Sequence, residues 1–320
     1  MATPSLESSS PPIWTHERRP AHLAVLDEGA AGHRGSTAVE WLRAVERAIG
    51  SMRERLTEPI TLQSMADVAI LSPYHFNRVF CRVTGVPPGR FLTALRVEAA
   101  THLLLSTHFS VTRVCAEVGY QSLGTFTAHF AQLVGLPPRR LRRLARAVEL
   151  PSLDELSQHL PSVSPAELTG PAVVGWVRGT VNTSVPIFVG LFPGPLAQGW
   201  PVACAVLASP GAFHFTGVPD GRYYALAVAL PWSSDPLPCL LPDRGHLRVG
   251  AVGPVEVTSG ATSTLVDLYL RPVQLTDPPI LLALPLLYGK HRGGAAAGQL
   301  GEWELACGSA STVEREGARD

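Results

Sequence analysis

The spacing of apolar residues changes once along the chain, and this change separates a helical part from a strand-forming part. Over residues 39–147 apolar positions recur every three or four residues, as on one face of an amphipathic helix. After residue 171 the period becomes two, in short segments punctuated by glycine and proline. The pattern predicts a multidomain chain, with an all-α domain over residues 37–147 followed by an all-β antiparallel sandwich over residues 172–273.

The remaining segments lack such periodicity. Residues 1–36 are rich in Ser, Pro, Gly and charge, which predicts a disordered tail. Residues 148–171 contain four prolines and are predicted to be a linker, with a short helix possible over 152–160. Residues 274–320 are predicted to be a partly disordered extension, with one possible strand near Trp303. Eight strands are predicted, at 173–181, 186–192, 202–207, 212–216, 223–230, 247–252, 255–258 and 264–270.

Two segments of the helical part repeat one arrangement, and the serines that start their second helices lie fifty residues apart. In each, a hydroxyl residue suited to capping starts a short helix, a serine starts a second helix, and a glycine followed by two prolines ends it. A long helix over residues 89–105 joins the two segments. The shared markers are Thr61, Ser72, Gly85 and Pro87-Pro88 in the first segment, and Ser110, Ser122, Gly135 and Pro137-Pro138 in the second.

This arrangement is typical of two helix-turn-helix units. In such a unit the first helix braces the second, which lies in the major groove of DNA, where base edges are distinguishable. Two units joined by one helix can enter successive major grooves, about 34 Å apart on one face of the duplex. The sequence therefore predicts double-stranded DNA as the partner, read by one chain without a symmetric second copy.

The residues that carry this pattern resemble the DNA-binding domain of the AraC family of transcription regulators. The resemblance implies sequence-specific binding at promoters, transcriptional control and contact with RNA polymerase. It extends over about 100 residues with order and spacing intact. It rests on Ser72-Pro-Tyr-His-Phe-Asn-Arg78, Thr84-Gly85-Val-Pro-Pro88, Arg96-Val-Glu-Ala-Ala100, Val114-Cys-Ala-Glu-Val-Gly119-Tyr120 and Gly135-Leu-Pro-Pro138.

Residue roles follow from the helix faces and from the resemblance. Arg78 is the leading candidate for a base contact, because it lies opposite Phe76 and Phe80 and the family usually has arginine there. Tyr74 and Asn77 share its face, whereas phosphate is the expected target of His75 and Arg82. The second unit has shorter outward side chains, so we expect it to bind mainly the DNA backbone. Its candidates are Thr127, His129, Arg139 and Arg140, with Arg142 and Arg143 beside them and a merely solvated helix end as the alternative.

For two further sets of residues we expect a structural role and no contact with DNA bases. Arg96 matches an arginine of the family's linker helix, for which we favour a structural role over a base contact. The residues assigned to the core are Phe76, Phe80, Phe91, Leu95, Leu103, Phe126 and Phe130.

The charge distribution agrees with a polyanionic partner for the helical part. Residues 40–150 contain 14 arginines and 8 acidic residues, a net charge of +6, whereas residues 151–320 contain 9 basic and 14 acidic residues, a net charge of −5. The whole chain is neutral. The five cysteines form no C-x-x-C pair and are interpreted as free thiols of a cytoplasmic protein, and no segment is long and apolar enough for a membrane span.

The strand-forming part resembles the prealbumin-like sandwich of carboxypeptidase regulatory domains, over residues 175–181, 186–192, 211–228 and 266–272. Such domains are usually non-catalytic, and ligand binding, partner binding and self-association through residues 172–273 all stay open. An adaptor whose sandwich binds a partner is therefore the alternative function.

A DNA-repair methyltransferase is a further alternative, because Cys239 follows a proline. No His or Arg follows Cys239 to generate a thiolate. We predict no enzyme activity, no cofactor and no metal site.

Overall fold

In a computed structural model of the protein, the residues described are 34–152, 155, 172–181, 185–258, 264–281, 283, 286, 290 and 291. The first helix begins at residue 34, so residues 34–36 of the predicted tail are helical. Residues 1–33, most of the predicted linker and most of the C-terminal extension, including Trp303, lie outside the described residues.

The helices of the first part follow the order that the sequence predicts. They are α1 (Arg34–Glu54), α2 (Leu62–Ala69), α3 (Pro73–Thr84), α4 (Pro88–Ser106), α5 (Val111–Glu117), α6 (Leu123–Val134) and α7 (Pro138–Ala147). A one-turn helix, α8 (Leu237–Leu240), lies in the second part.

The predicted capping residues set the starts of four helices. Thr61 and Ser64 form a capping box, in which the Thr61 hydroxyl accepts from the Ser64 amide at 3.1 Å and the Ser64 hydroxyl accepts from the Thr61 amide at 3.0 Å. Ser72, Ser110 and Ser122 accept in the same way from the third amide of α3, α5 and α6. These bonds satisfy backbone donors that the helix leaves unpaired.

The helical core consists mainly of the expected phenylalanines. Phe76, Phe80, Phe91, Phe126 and Phe130 are fully buried. The Phe80 ring packs on those of Phe76 and Phe91 at centroid distances of 5.4 Å, and the Phe126 and Phe130 rings pack at 5.7 Å. Leu103, assigned to the core, is only half-buried. Leu62, placed on the apolar stripe of α2, is 43% exposed because it occupies the first turn, beyond the cover of α1.

The second part contains two sheets whose inner faces share one core. Their strands are β2 (Ala172–Arg178), β3 (Ile187–Phe192), β4 (Ala203–Leu207), β5 (Ala212–Thr216), β6 (Gly221–Ala229), β7 (Arg248–Val257), β8 (Thr264–Tyr269) and β9 (Arg271–Pro272). The five-stranded sheet has the order β4-β3-β6-β7-β9, and the three-stranded sheet has the order β5-β2-β8. A separate pair joins β1 (Val148–Glu149) to β10 (Lys290–His291).

Two details of these sheets differ from the prediction. The expected antiparallel pairing fails for β2 and β8, which are parallel because the chain passes through the other sheet between them. The strands predicted at 247–252 and 255–258 form one strand, β7. It continues through Gly253-Pro254 with a register shift opposite Tyr224, and a bulge of this kind needs no ladder bond from proline.

The helical part and the sheet part pack directly against each other. Leu196, Cys239 and Leu281 from the second part belong to the same buried cluster as the phenylalanines of the first. The Trp232 Nε1 donates to the Pro151 carbonyl at 2.8 Å, and the Leu150 amide donates to the Ser234 carbonyl at 2.9 Å. The first residues of the predicted linker are therefore fixed on the sheet part.

Candidate nucleic-acid interface

Helix α3 presents a polar stripe on the side opposite its buried face. Tyr74, Arg78 and Arg82 lie four residues apart, so they form one row along the helix, and all three are exposed. Tyr74 is 75% exposed, and the Arg78 guanidinium lies 5.9 Å from its ring centroid. His75 is exposed beside this row and Asn77 is half-buried. The structure therefore brings together all five candidates that the sequence predicted on this helix.

Trp41 of α1 contacts two of these candidates. Its ring meets the His75 ring edge-on at a centroid distance of 6.1 Å, and the Arg82 guanidinium lies 5.5 Å from its centroid. A cation over an indole face is attracted by the ring quadrupole. Trp41 thus orients the basic end of the stripe, a role that sequence reasoning missed because nothing in the pattern of α1 shows which helix its indole faces.

Helix α6 repeats the geometry of α3 with different side chains. The offset of fifty residues places Gly124, Ala128 and Gln132 where α3 has Tyr74, Arg78 and Arg82. These three positions are exposed, and none carries a positive charge. Thr125 and Gln132 are exposed polar residues that the sequence reasoning did not select, although comparison at this offset would have found them.

The two candidates selected on α6 are half-buried. The Thr127 hydroxyl donates to the Leu123 carbonyl of the preceding turn at 2.6 Å. His129 takes the position of the buried Val79, and its Nδ1 lies 3.2 Å from the Tyr120 hydroxyl. Burial raises the pKa of Tyr120 to about 12. His129 therefore contacts Tyr120 within the second unit and keeps part of its surface exposed.

The arginines at the start of α7 differ in exposure and in hydrogen bonding. Arg139 and Arg140 are exposed in the first turn, which contains no acidic residue, and Arg143 is exposed one turn later. Arg142 instead donates from Nε to the Leu104 carbonyl at 2.8 Å, which connects α7 to the end of α4. Arg142 therefore does not extend the expected cluster of phosphate contacts, because its guanidinium is hydrogen-bonded to a backbone carbonyl near the end of α4.

Arg96 fixes the two units relative to α4. Its Nε donates to the Leu56 carbonyl at 3.0 Å and its Nη2 donates to the Glu58 carbonyl at 2.7 Å. The guanidinium also lies 5.9 Å from the Tyr120 ring of the second unit. The structural role expected for Arg96 is confirmed, since its donors serve the turn between α1 and α2.

The sheet part covers the carboxyl ends of α3 and α6. A Cβ on Gly85, which ends α3, would lie 3.5 Å from the Pro195 side chain, and Gly135, which ends α6, lies beside Trp200. The Gly199 amide donates to the Leu133 carbonyl at 3.1 Å. One loop between β3 and β4 therefore touches both helices at these ends, while Tyr74 and Leu123 near their amino ends remain exposed.

The surroundings of Cys239 oppose a nucleophilic role. Its thiol is 3% exposed and donates to the Pro231 carbonyl at 3.0 Å, and burial raises its pKa to about 11. Cys81 and Cys115 are free thiols as well. Within the part of the chain that the structure describes, no group of three metal-ligating side chains is found, and no helix has the length and apolar character of a membrane span.

Two capped helix pairs on one connecting helix define residues 61–138 as a double helix-turn-helix domain, and comparison with known proteins agrees. Residues 65–144 match a family model described as a helix-turn-helix domain. The predicted domain is thereby confirmed over these residues.

Similar proteins match the same part of the chain. An HTH-type transcriptional regulator of Mycobacterium tuberculosis is 34% identical over 115 residues, which are 36% of this chain and 37% of that protein. The bifunctional transcriptional activator/DNA repair enzyme AdaA of Bacillus subtilis is 29% identical over 110 residues, 34% of this chain and 51% of that protein. Among solved structures, the C-terminal domain of the response regulator AraT from Geobacillus stearothermophilus is 30% identical and covers 31% of this chain and 84% of its own, with a TM-score of 0.31. The chain thus spans about a third to a half of these two curated relatives.

Proposed function

We propose that this protein is a sequence-specific DNA-binding transcription regulator that places α3 and α6 in successive major grooves of promoter DNA. The observation that carries the proposal is the repetition of one capped helix pair on either side of α4, with α3 and α6 at an offset of fifty residues. A single connecting helix holds the two reading helices at a fixed distance, as the regular spacing of major grooves requires.

Helix α3 supplies most of the base reading in this proposal. Arg78 pairs with guanine, for which the guanidinium offers two parallel donors, and Asn77 and Tyr74 contact an adenine edge and a thymine methyl. His75 and Arg82 bind phosphates on either side of the groove. Their contact with Trp41 supports this role, because a side chain held in place loses less conformational entropy on binding.

The second unit binds mainly the DNA backbone. The exposed positions Gly124 and Ala128 leave room for close approach without donors to base edges. Thr127 and His129 are its polar candidates on α6, and Arg139 and Arg140 bind phosphate at the start of α7. Arginines in a first turn are unfavourable next to the positive end of the helix dipole, and a bound phosphate removes that cost.

The remaining assignments extend the proposal to the whole chain. The DNA-binding domain spans residues 37–147, the linker 148–171, and a prealbumin-like sandwich 172–273, with residues 274–320 as an extension. The shared core of the two sheets supports the sandwich. RNA polymerase is the second macromolecular partner that we propose, since regulators of this type commonly contact it.

In vitro selection tests the function directly. The full chain is used to enrich binding sites from a random DNA pool, and the affinity for the enriched site is compared with that for a shuffled version at fixed salt. We expect one shared motif and a preference of at least a thousandfold, as is typical of specific binding. A pool without a shared motif, or equal affinity for the shuffled site, would contradict the proposal.

A further inference from the structure

A cavity of about 230 Å³ lies between the helical part and the sheet part. Its helical side is formed by one face of α4, with Glu98, Thr101 and His102, and by the ends of α1 and α6. The opposite side comes from the segments between α8 and β7 and after β9. The volume exceeds that of a cavity of about 150 Å³ that binds benzene, so it suits a small organic molecule. Its apolar walls include Val134, Leu141, Leu240 and Ile280.

The polar end of the cavity is built around one carboxylate shared by two arginines. Glu98 Oε2 accepts from Arg53 Nη1 at 3.1 Å, and Glu98 Oε1 accepts from Arg244 Nη1 at 3.2 Å. Arg53 and Glu98 belong to the helical part and Arg244 to the sheet part. This ion-pair cluster therefore joins the two parts at the wall of the cavity.

The second carboxylate at this end is already neutralised. Asp277 forms a two-bond ion pair with Arg271, with both distances at 2.7 Å, and also accepts from the Gln274 amide at 2.7 Å. It therefore has little capacity left for Arg244, whose Nη2 donates to the backbone carbonyls of Gln274 and Asp277 instead. Among the described residues lining the cavity, two arginines are thus balanced by Glu98 alone.

Arg53, one of these two arginines, is incompletely hydrogen-bonded. Its Nε and Nη2 are buried and have no hydrogen-bond partner among the described residues. A guanidinium with unmet donors away from water is undercompensated, and a nearby anion lowers its electrostatic free energy. His102 is the exposed residue of the lining and provides a further nitrogen at the solvent side of the cavity.

We infer that this cavity binds a small monocarboxylate with an apolar body. The apolar body packs against the walls formed by the valine, leucine and isoleucine side chains, and the carboxylate lies at the arginine end beside Arg244 and His102. The charge excess selects the carboxylate over its neutral amide. A dicarboxylate would place its second charge against the apolar walls without a partner, at a high desolvation cost.

The position of the cavity gives the ligand a route to the DNA-binding face. Its walls include α4, which connects the two helix-turn-helix units, and Val134 at the end of α6. A ligand that binds one arrangement of these elements more tightly changes DNA affinity by the same factor by which DNA changes ligand affinity. This coupling rests on the proposed function, whereas ligand binding itself does not.

Calorimetry on the full chain without DNA tests the site. Hexanoate, benzoate and phenylacetate are titrated, each beside its neutral amide. We expect at least one acid to bind at least tenfold more tightly than its amide. Failure of all three acids to bind at millimolar concentration, or equal affinities for each acid and its amide, would overturn the inference.

Three variants locate the binding. Arg244→Met keeps the aliphatic stem and removes the charge, so affinity for the acid should fall at least tenfold. Arg248→Met, an arginine of β7 outside the cavity lining, is the matched control and should bind as the parent does. His102→Trp adds bulk at an exposed position and should block entry while the fold is kept, as checked by circular dichroism. Unchanged binding in both Arg244→Met and His102→Trp would place the ligand elsewhere and overturn the site.

A DNA-binding arm separates the two claims. If the acid binds in calorimetry and leaves the affinity for the selected DNA site unchanged, ligand binding in the cavity is supported and its coupling to DNA binding is wrong. If no specific DNA site exists, the calorimetric result still decides the cavity.

Discussion

Gly119 lies so close to Leu56 that a Cβ at residue 119 would stand 2.5 Å from the Leu56 carbonyl oxygen. Gly119 also has a φ of 80°, in the left-handed region that disfavours side chains. The turn of the second helix-turn-helix unit therefore rests on the backbone of the turn between α1 and α2. This is the same backbone that Arg96 holds through the Leu56 and Glu58 carbonyls.

Gly119→Ala should destabilise the protein because it combines left-handed strain, about 1–2 kcal/mol, with a clash against backbone. We expect the free energy of unfolding in urea to fall by about 2–4 kcal/mol. Gly124→Ala is the matched control, because Gly124 is exposed in α6 and a Cβ there meets only the Ser122 hydroxyl, at 3.7 Å. That change should leave stability unaltered or raise it by up to about 1 kcal/mol. Equal effects of the two substitutions would refute the close packing of Gly119.

Arg78→Ala should weaken specific binding by about 1–3 kcal/mol and relax the base preference at one position of the site. The reason is the loss of two parallel donors to a base edge. Fluorescence anisotropy with the selected site and its single-base variants gives both quantities. Arg222→Ala removes an equally exposed arginine from β6 and should change neither. A specific site bound equally well by Arg78→Ala at fixed salt would remove Arg78 from the interface.

Arg140→Ala should weaken binding by a similar factor for all sequences, since a phosphate contact carries no sequence information. The dependence of the logarithm of affinity on the logarithm of salt concentration should become shallower by about 1. Titrations at several salt concentrations measure the slope. An unchanged slope would mean that the start of α7 is a solvated helix end.

Stability at alkaline pH should depend on Tyr120. Burial raises its pKa from 10.0 to about 12, so the folded protein keeps the phenol proton at pH values at which the unfolded chain loses it. The stability contributed by the neutral phenol is fully present below about pH 10 and is lost as the pH rises to about 12. Tyr120→Phe should therefore show a smaller loss of unfolding free energy over this range, measured by urea titration at each pH. Parallel pH profiles of the two proteins would contradict the burial of this phenol.

The sequence predicted the helical part well because its signals are local. Capping residues, a glycine at each helix end and the prolines after it act within a few residues, and the structure has each helix where these signals place it. The strand positions also follow from local alternation. The parallel pairing of β2 with β8 and the continuity of β7 were not predictable, because they depend on which distant strands meet.

The candidate interface shows the same division. The outward stripe of α3 follows from helical periodicity alone. The contact of Trp41 with His75 and Arg82, the diversion of Arg142 to the Leu104 carbonyl and the packing of His129 on Tyr120 all join residues from different helices. Helical periodicity gives the face of a residue on its own helix and does not identify the neighbouring helix that it contacts.

Hydroxyl-radical and methylation footprinting of the full chain on its selected site measures whether one chain reads two successive major grooves. Two protected segments are expected on one face of the duplex, centred about 10–10.5 base pairs apart, with stronger base protection in one of them. Inserting five base pairs between the segments should abolish the specific affinity, because it turns the second groove to the opposite face. A single protected segment, or an affinity that survives the insertion, would mean that one chain does not read two grooves.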